Sequence, residues 1–195
     1  MKHDALFILG LPGSGKGTQA RKLSEKLGYY YFEMGEVLRH IAEDNTPFGK
    51  SVKNSLTHGN LLSDEDIVEV IKLELRHLEV GSGIVFDGVP RRVGQGKFLL
   101  DYLKNILGKT NFGTVVINIT KEECVKRIAF RSSTAHRADD NEEAVNRRVQ
   151  EQSATLVEVL DLLKGSSAVY EIDGMPPIEE VERAISSALN ISDAS

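Results

Sequence analysis

Short apolar runs alternate with longer stretches of mixed apolar and polar residues along this chain. Five of the runs are rich in β-branched and aromatic residues: Ala5–Leu9, Tyr29–Phe32, Ile84–Phe86, Val115–Ile119 and Val169–Ile172. They are almost continuously apolar, which is typical of strands that are covered by helices on both faces. The alternation therefore predicts an α/β fold in which about five parallel strands form a sheet flanked by helices.

Helix-start signals occupy the intervals between these runs. Ser63 precedes three acidic residues and the periodic stretch IVEVIKLEL, and Thr120 stands three residues before Glu123 in a capping-box arrangement. Residues Asn141–Leu163 can form one long helix, and Pro177 suits the first turn of the last helix. These signals predict that helices connect the strands.

Two segments interrupt the alternation. Residues 35–77 predict two or three helices between the second and third strands, and residues 131–140 (RSSTAHRADD) are polar, contain arginine and lack periodicity. We interpret both as peripheral elements that can close over a site, within one domain of residues 1–195.

Composition and charge narrow the function classes. The 195 residues carry a net charge of −5, which argues against a nucleic-acid partner because such proteins need clustered cations. No run approaches the length of a membrane span, and ALFIL leads directly into a glycine-rich loop, so it predicts a strand and not a signal peptide. The single cysteine, Cys124, is interpreted as a small buried residue. We expect a monomer in the reducing cytoplasm, without a membrane or nucleic-acid partner.

The loop after the first strand carries the strongest chemical signal. Its sequence, GLPGSGKGT (Gly10–Thr18), matches the phosphate-binding pattern G-x-x-x-x-G-K-[ST] except at Gly17, where a hydroxyl-bearing residue is expected. Backbone N–H groups of such a turn cradle phosphates, and Lys16 would reach the β and γ groups. A chance turn, a degenerate loop and a specific variant of the motif are the three explanations of Gly17.

The form G-x-P-G-x-G-K-G-T resembles the loop of nucleoside monophosphate kinases, and four further segments extend the resemblance in the family's order. They are EMGEVLR (33–39), similar to S-T-G-D-x-L-R; GNLLSDEDIV (59–68), similar to G-x-L-V-x-D-E-x-V; FDGVPRRVGQ (86–95), similar to D-G-F-P-R-x-x-x-Q; and RIAFRSSTAHRADDNEEAVNRRV (127–149), similar to R-x-x-x-R…R-x-D-D-x-x-E-x-x-x-x-R. The resemblance implies a P-loop NTPase fold with a helical acceptor-binding insertion at 35–77 and a lid at 131–140. Only SSTAH separates Arg131 from Arg137, which resembles the short-lid type without structural zinc.

The resemblance also implies roles for individual residues in phosphoryl transfer from ATP. Expected at the ATP site are Gly13, Ser14, Gly15, Lys16, Gly17, Thr18, Arg127, Arg131 and Pro176. Expected at the acceptor site are Met34, Arg39, Asn60, Leu61, Leu62, Gly88, Val89, Pro90, Arg91, Gln95, Arg137 and Arg148. The expected catalytic cations are Lys16, Arg91, Arg127, Arg131, Arg137 and Arg148, because guanidinium groups bind phosphate oxygens in pairs and neutralise developing charge. Asp139 and Asp140 would anchor the lid arginines.

Asp87 is the candidate for a role with Mg²⁺. It follows a buried apolar strand, at the carboxyl edge where ligands bind in open α/β sheets. Its carboxylate would hold waters on the ion and so replace the hydroxyl that is missing at Gly17. This interpretation makes the loop a specific variant.

Gln95 points to the acceptor base. Its amide offers a donor and an acceptor, which matches the N6/N1 edge of adenine, whereas relatives that phosphorylate UMP and CMP generally carry Asn there. The resemblance therefore favours adenylate kinases, which convert ATP and AMP to two ADP. Glu33 and Met34 replace the family's Ser/Thr pair, so a UMP/CMP or broad-specificity kinase is the first alternative. A regulatory protein that binds nucleotides without turnover is the second.

Overall fold

The computed structural model describes residues 3–76, 78–79, 81–135 and 142–191, and only the backbone of residues 131–135, 142–144 and 148. Within these residues the five strands are β1 (Ala5–Leu9), β2 (Tyr30–Glu33), β3 (Ile84–Asp87), β4 (Phe112–Asn118) and β5 (Ser167–Asp173). The helices of the same residues are α1 (Lys16–Leu27), α2 (Met34–Glu43), α3 (Pro47–His58), α4 (Asp64–Leu75), α5 (Val93–Asn105), α6 (Lys121–Ala135), α7 (Glu142–Lys164) and α8 (Ile178–Ala188).

The strands form one parallel sheet in the order β2-β3-β1-β4-β5, with β1 at its centre. The prediction of a parallel α/β sheet of about five strands is therefore confirmed. From β1 the chain passes to the edge strand β2 and returns to β3, which lies between them, and it then adds β4 and β5 on the other side of β1. The loop after β1 thus lies at the point where the strand order reverses, which is where ligands bind in open α/β sheets.

Alternate residues of the central strand feed two cores on opposite faces of the sheet. Phe7 and Leu9 join a core that includes residues of α2 to α5 and of α7, and the Phe7 ring stacks on that of Phe86 at 5.3 Å between centroids. Leu6 and Ile8 join a second core with residues of α1 and α8. Helices therefore cover both faces, which explains why the strands are so continuously apolar in sequence.

Strand boundaries differ from the sequence prediction by up to three residues, for physical reasons. Tyr29 is not the first residue of β2, because its N–H donates to the Ser24 carbonyl oxygen and closes the end of α1, where Gly28 adopts a left-handed conformation. β4 begins at Phe112 and not at Val115, since Gly113 and Thr114 also pair with β1 and β5. Glycine is depleted in strands, so Gly113 gives no strand signal of its own.

The helix-start signals are borne out closely. The Ser63 hydroxyl accepts from the Asp66 N–H at 3.1 Å, and the Thr120 hydroxyl accepts from the Glu123 N–H at 3.2 Å. The predicted long helix at 141–163 is α7. Pro177 was predicted to lie in the first turn of the last helix. It is instead the N-cap of α8, one residue before the helix begins.

The two interrupting segments have different structures. Three helices, α2 to α4, lie between β2 and β3, in agreement with the prediction for residues 35–77. The aperiodic segment 131–140, which the sequence predicts to be a peripheral element able to close over a site, begins as the last residues of α6, which ends at Ala135. The remaining residues of that segment lie outside the described ones.

Candidate active site

The glycine-rich loop joins β1 to the N-terminus of α1. Gly13 has a φ of 82°, and a Cβ atom at this residue would lie 2.9 Å from the Cys124 carbonyl oxygen, so glycine is required there. Gly15 is the N-cap of α1 and provides no side chain to pair with the first N–H groups of the helix. These N–H groups face the loop, where the helix dipole favours an anion.

Cys124, on α6, packs against this loop. The residue is fully buried, as predicted, and its thiol donates to the Pro12 carbonyl oxygen. Its own carbonyl oxygen is the atom that approaches Gly13. The packing of α6 against the loop therefore holds the turn in its shape.

An open cleft of about 1970 Å³, counting space that is open to solvent, extends from the loop along the carboxyl edge of the sheet. Its lining runs from the glycine-rich loop to α2 and to the residues that follow α3. Of the predicted site residues it brings together Gly13, Gly15, Lys16, Gly17, Thr18, Arg39, Asn60, Asp87, Gly88, Arg91 and Arg127.

A smaller pocket adjoins the cleft on the side of α2 and α4. It shares Asn60, Gly88 and Arg91 with the cleft, and its further predicted residues are Met34, Leu61, Leu62 and Gln95. Pro90 lies near Lys16, while Val89 and Ser14 are buried and Pro176 is half-buried in the loop before α8. Arg137, Asp139 and Asp140 lie outside the described residues, as do the side chains of Arg131 and Arg148.

Asp87 is a buried carboxylate at the centre of the cleft. It is 5% exposed, and its Oδ2 atom accepts from the Tyr31 hydroxyl at 3.1 Å. Its Oδ1 atom is buried and has no hydrogen-bond partner among the described residues. Burial raises the pKa of this carboxyl group, although the Lys16 ammonium acts in the opposite direction. An oxygen ligand with free lone pairs is thus held next to the phosphate-binding loop.

The same carboxylate accounts for the glycine at position 17. A Cβ atom built on Gly17 would lie 2.9 Å from Asp87 Oδ2, closer than side-chain carbons normally approach. A serine or threonine could therefore not be accommodated unless the buried carboxylate moved. Gly17 and Asp87 fit each other sterically, and this supports the interpretation of the loop as a specific variant.

Arg91 is held at the cleft by its own turn. Its Nε atom donates to the Gly88 carbonyl oxygen at 2.8 Å, and its backbone N–H donates to Gln95 Oε1 at 2.9 Å. A Cβ atom on Gly88 would lie 3.2 Å from Arg91 Nη2. The guanidinium group is therefore aimed by a short backbone turn at the end of β3.

Gln95 is buried at the junction of α4 and α5. It is 2% exposed, and its Nε2 atom donates to Asp64 Oδ1 at 3.0 Å. Arg92 donates to the Leu62 carbonyl oxygen at 3.0 Å, which holds the loop before α4 against the start of α5. These contacts fix the orientation of the Gln95 amide and leave one N–H and one lone pair for a ligand.

Arg127 links α6 to the loop that contains Pro176. Its Nε atom donates to Glu123 at 2.7 Å, and its two Nη atoms donate to the carbonyl oxygens of Gly174 and Met175 at 2.9 and 3.2 Å. The ion pair with Glu123 also lowers the pKa of that carboxyl group. These hydrogen bonds of the guanidinium group therefore hold the loop before α8 against α6 at the side of the cleft.

Comparison with known proteins agrees with this geometry. A family model described as adenylate kinase matches residues 8–168. The chain belongs to the adenylate kinase family.

Individual relatives in this family match along nearly the whole chain. An adenylate kinase of Stenotrophomonas maltophilia (strain K279a) is 35% identical over 184 residues, which is 94% of this chain and 98% of the relative. An adenylate kinase of Thermus thermophilus is 34% identical over 187 residues, 96% of this chain and 97% of the relative. An adenylate kinase of Xanthomonas campestris pv. campestris (strain B100) is 33% identical over 184 residues, 94% of this chain and 98% of the relative.

Glu33, one of the departures from the adenylate kinase pattern, lies among cations. Its Oε1 atom accepts from Arg39 at 2.9 Å, and its Oε2 atom lies 3.3 Å from Arg21 and accepts from the Tyr31 hydroxyl at 3.1 Å. Burial and the adjacent Asp87 and Glu33 carboxylates raise the pKa of Tyr31, so the phenol stays protonated and acts as a donor. Glu33 Oε2 and Asp87 Oδ2 both lie 3.1 Å from the phenol oxygen, and its single proton is donated to one of the two carboxylates at a time.

Several cleft residues were missed by the sequence analysis. They are Arg21, Tyr31, Phe130 and Gln152. Strand alternation could have identified Tyr31, because it lies two residues before Glu33 and so on the same face of the sheet. Helical spacing could have identified Arg21, which follows Gly17 by one turn.

Membrane spans and clusters of metal ligands are two further features that bear on function. None of the helices between residues 3 and 191, the described ones, combines the length and apolar character that a membrane span needs. In the same described parts of the chain, no group of three or more His, Cys, Asp and Glu side chains is arranged to hold a metal ion.

Proposed function

We propose that this chain catalyses the reversible transfer of a phosphoryl group from ATP to AMP, which gives two ADP. The observation that carries the proposal is the shared cleft that contains the phosphate-binding loop with Lys16, the Asp87 carboxylate, and the guanidinium groups of Arg39 and Arg91. These groups come from separate segments of the chain. Phosphoryl transfer needs such an arrangement, because its catalysis consists mainly of positioning and charge neutralisation.

The donor is expected on the loop side of the cleft. Backbone N–H groups of residues 13–18 would hold the phosphates of ATP, and the Lys16 ammonium would neutralise charge on the transferred group. Mg²⁺ fits beside them, since the Asp87 carboxylate is a hard oxygen donor that lines the cleft and Gly17 places no side chain against its Oδ2 atom. When bound, the ion neutralises charge on the phosphate oxygens, and Asp87 would hold its waters.

The acceptor is expected on the side of α2 to α5. Arg39 and Arg91 would bind its phosphate, and the smaller pocket with Met34 and Gln95 would take the base. The acceptor is already an anion, so no general base is required. Exclusion of water is required instead, to prevent hydrolysis of ATP. We further propose that Arg131, Arg137 and Arg148 complete the charge neutralisation, and that the chain acts as a monomer in the cytoplasm.

Broader acceptor specificity is the second candidate. Met34 is 1% exposed and lines the smaller pocket where the family usually has a hydroxyl, so one polar contact to the base is missing. A buried polar contact contributes about 1 kcal/mol, which is less than a tenfold preference. This favours some turnover of UMP or CMP beside AMP.

A coupled assay of ADP formation with ATP and a panel of AMP, UMP, CMP and GMP tests the proposal. AMP should be the best acceptor, and Lys16→Ala should lower turnover at least about a hundredfold because it removes a charge-assisted contact made in the transition state. Lys164→Ala, which removes an exposed lysine from the end of α7, is the matched control. Preference for UMP or CMP would refute the choice of acceptor, and turnover of none of the four would support the regulatory alternative.

A further inference from the structure

We propose that Glu33 is a positioning residue that holds Arg39 in the empty acceptor site and must release it to the acceptor's phosphate when the acceptor binds. The inference rests on the proposed function, which assigns the acceptor phosphate to Arg39. It adds an internal competitor for that arginine, supplied by the chain at a position where the family usually carries a hydroxyl.

The fold brings the two side chains together. Glu33 is the last residue of β2 and the N-cap of α2, and Arg39 lies six residues later on that helix. The side chain of Arg39 folds back over Gly35, where a Cβ atom would lie 3.1 Å from Arg39 Nη1. The hydrogen bond of 2.9 Å between Arg39 Nη2 and Glu33 Oε1 is the result. A carboxylate therefore occupies an N–H donor of Arg39 that could otherwise bind a phosphate oxygen.

The carboxylate keeps other donors when Arg39 leaves. Arg21 and the Tyr31 hydroxyl both contact the second oxygen, Oε2, and the Arg21 guanidinium group lies over the Tyr31 ring at 4.6 Å from its centroid. Parallel pairing of β2 with β3 places Tyr31, Glu33 and Asp87 on one face of the sheet, which fixes these positions. Glu33 would thus stay anchored while Arg39 moves to the phosphate.

Breaking the ion pair between Arg39 and Glu33 lowers the affinity only of ligands whose phosphate binds Arg39. The side chains of Glu33 and Arg39 are 16% and 32% exposed, so the ion pair is partly shielded from solvent and has to be broken. Such a pair contributes up to about 1 kcal/mol, which corresponds to a factor of about two to five in affinity. The affinity for AMP would be lowered by this factor, whereas the affinity for adenosine, which has no phosphate, would not.

Glu33→Gln tests the inference, because it keeps the shape of the side chain and removes the charge. Glu36→Gln is the matched control, since Glu36 lies 3.5 Å from Arg21 in the same cluster but is not an observed partner of Arg39. Isothermal titration calorimetry should show that Glu33→Gln binds AMP about two to five times more tightly than the unmodified chain. Adenosine affinity should stay the same, and Glu36→Gln should change neither. In steady-state assays the KM for AMP should fall without a change in the KM for ATP or in kcat.

Two results would overturn the inference. Equal or weaker AMP binding by Glu33→Gln would mean that the carboxylate does not compete or that it orients Arg39 productively. Equal tightening of AMP and adenosine would mean that the base pocket has changed instead. Glu33→Ser, which also removes the charge, should reproduce the tightening if thermal unfolding shows that Glu33→Gln is perturbed. If the unmodified chain binds AMP but forms no ADP, the proposed reaction fails while the binding arm still decides the inference.

Discussion

Replacement of Asp87 by asparagine should stabilise the free protein at neutral pH and abolish Mg²⁺-dependent turnover. The carboxylate is 5% exposed, and its Oδ1 atom has no hydrogen-bond partner among the described residues. Asparagine has the same shape and can still accept from Tyr31, but it carries no charge. Because a buried polar group without a partner costs about 1–3 kcal/mol, and more when charged, we expect removal of the charge to raise the free energy of unfolding by about 1–2 kcal/mol.

The pH dependence of this gain follows from the direction of the pKa shift. Burial raises the pKa of Asp87 in the folded protein above its ordinary value of 3.8, so the folded state binds the proton more tightly than the unfolded state. Stability from this group is therefore present at low pH and is lost as the pH rises from about 3.8 through the raised pKa. The asparagine side chain of the variant does not titrate. The difference between the variant and the unmodified chain should be small near pH 4 and should grow toward neutral pH.

Thermal unfolding by circular dichroism, with EDTA and without nucleotide, measures the effect between about pH 4 and pH 8. For a chain of this size 1 kcal/mol corresponds to about 2–4 °C in Tm, so the variant should unfold about 2–8 °C higher at pH 7. Asp161→Asn, at an exposed residue of α7, is the matched control and should show no such trend. ADP formation with Mg²⁺ should fall at least about a hundredfold in Asp87→Asn. A variant that is less stable at pH 7, or a difference that does not depend on pH, would refute the reasoning.

Two further predictions concern the acceptor site and the cleft as a whole. Gln95→Ala should raise the KM for AMP about five- to tenfold with little change in kcat, because the base is bound far from the transferred group and equally in the ground state and the transition state. Gln150→Ala, at an exposed residue of α7, is the control. A selective loss of kcat in Gln95→Ala would contradict this role. An analogue that joins two adenosines through five phosphates should bind at least about a hundredfold more tightly than ATP, because it fills both halves of the cleft with one loss of translational freedom. Calorimetry measures this affinity, and competition with only one of the two substrates would argue against two sites in one cleft.

The amino-acid sequence determined most of the framework, because its signals are local. Continuous apolar runs identified all five strands, and side-chain caps such as Ser63 marked helix starts through contacts between residues three apart. The loop of residues 10–18 is likewise a local motif, in which glycines and a lysine can be recognised without knowledge of their surroundings. Ends of strands were less predictable, since the residues added at the ends of β4 and β5 are held by pairing with distant strands.

The tertiary structure alone decided how the site residues use one another. Asp87 and Gly17 are far apart in the chain, yet a Cβ atom at position 17 would lie only 2.9 Å from the carboxylate, which explains the missing hydroxyl. The amide of Gln95 is oriented by Asp64, and Arg39 is paired with Glu33, a carboxylate that the sequence shows only as a departure from a pattern. Such contacts depend on strand register and helix packing, which place residues by their partners in space. A sequence pattern shows which chemical groups the side chains provide. Whether such a group is already paired with another residue depends on neighbours that only the fold brings close.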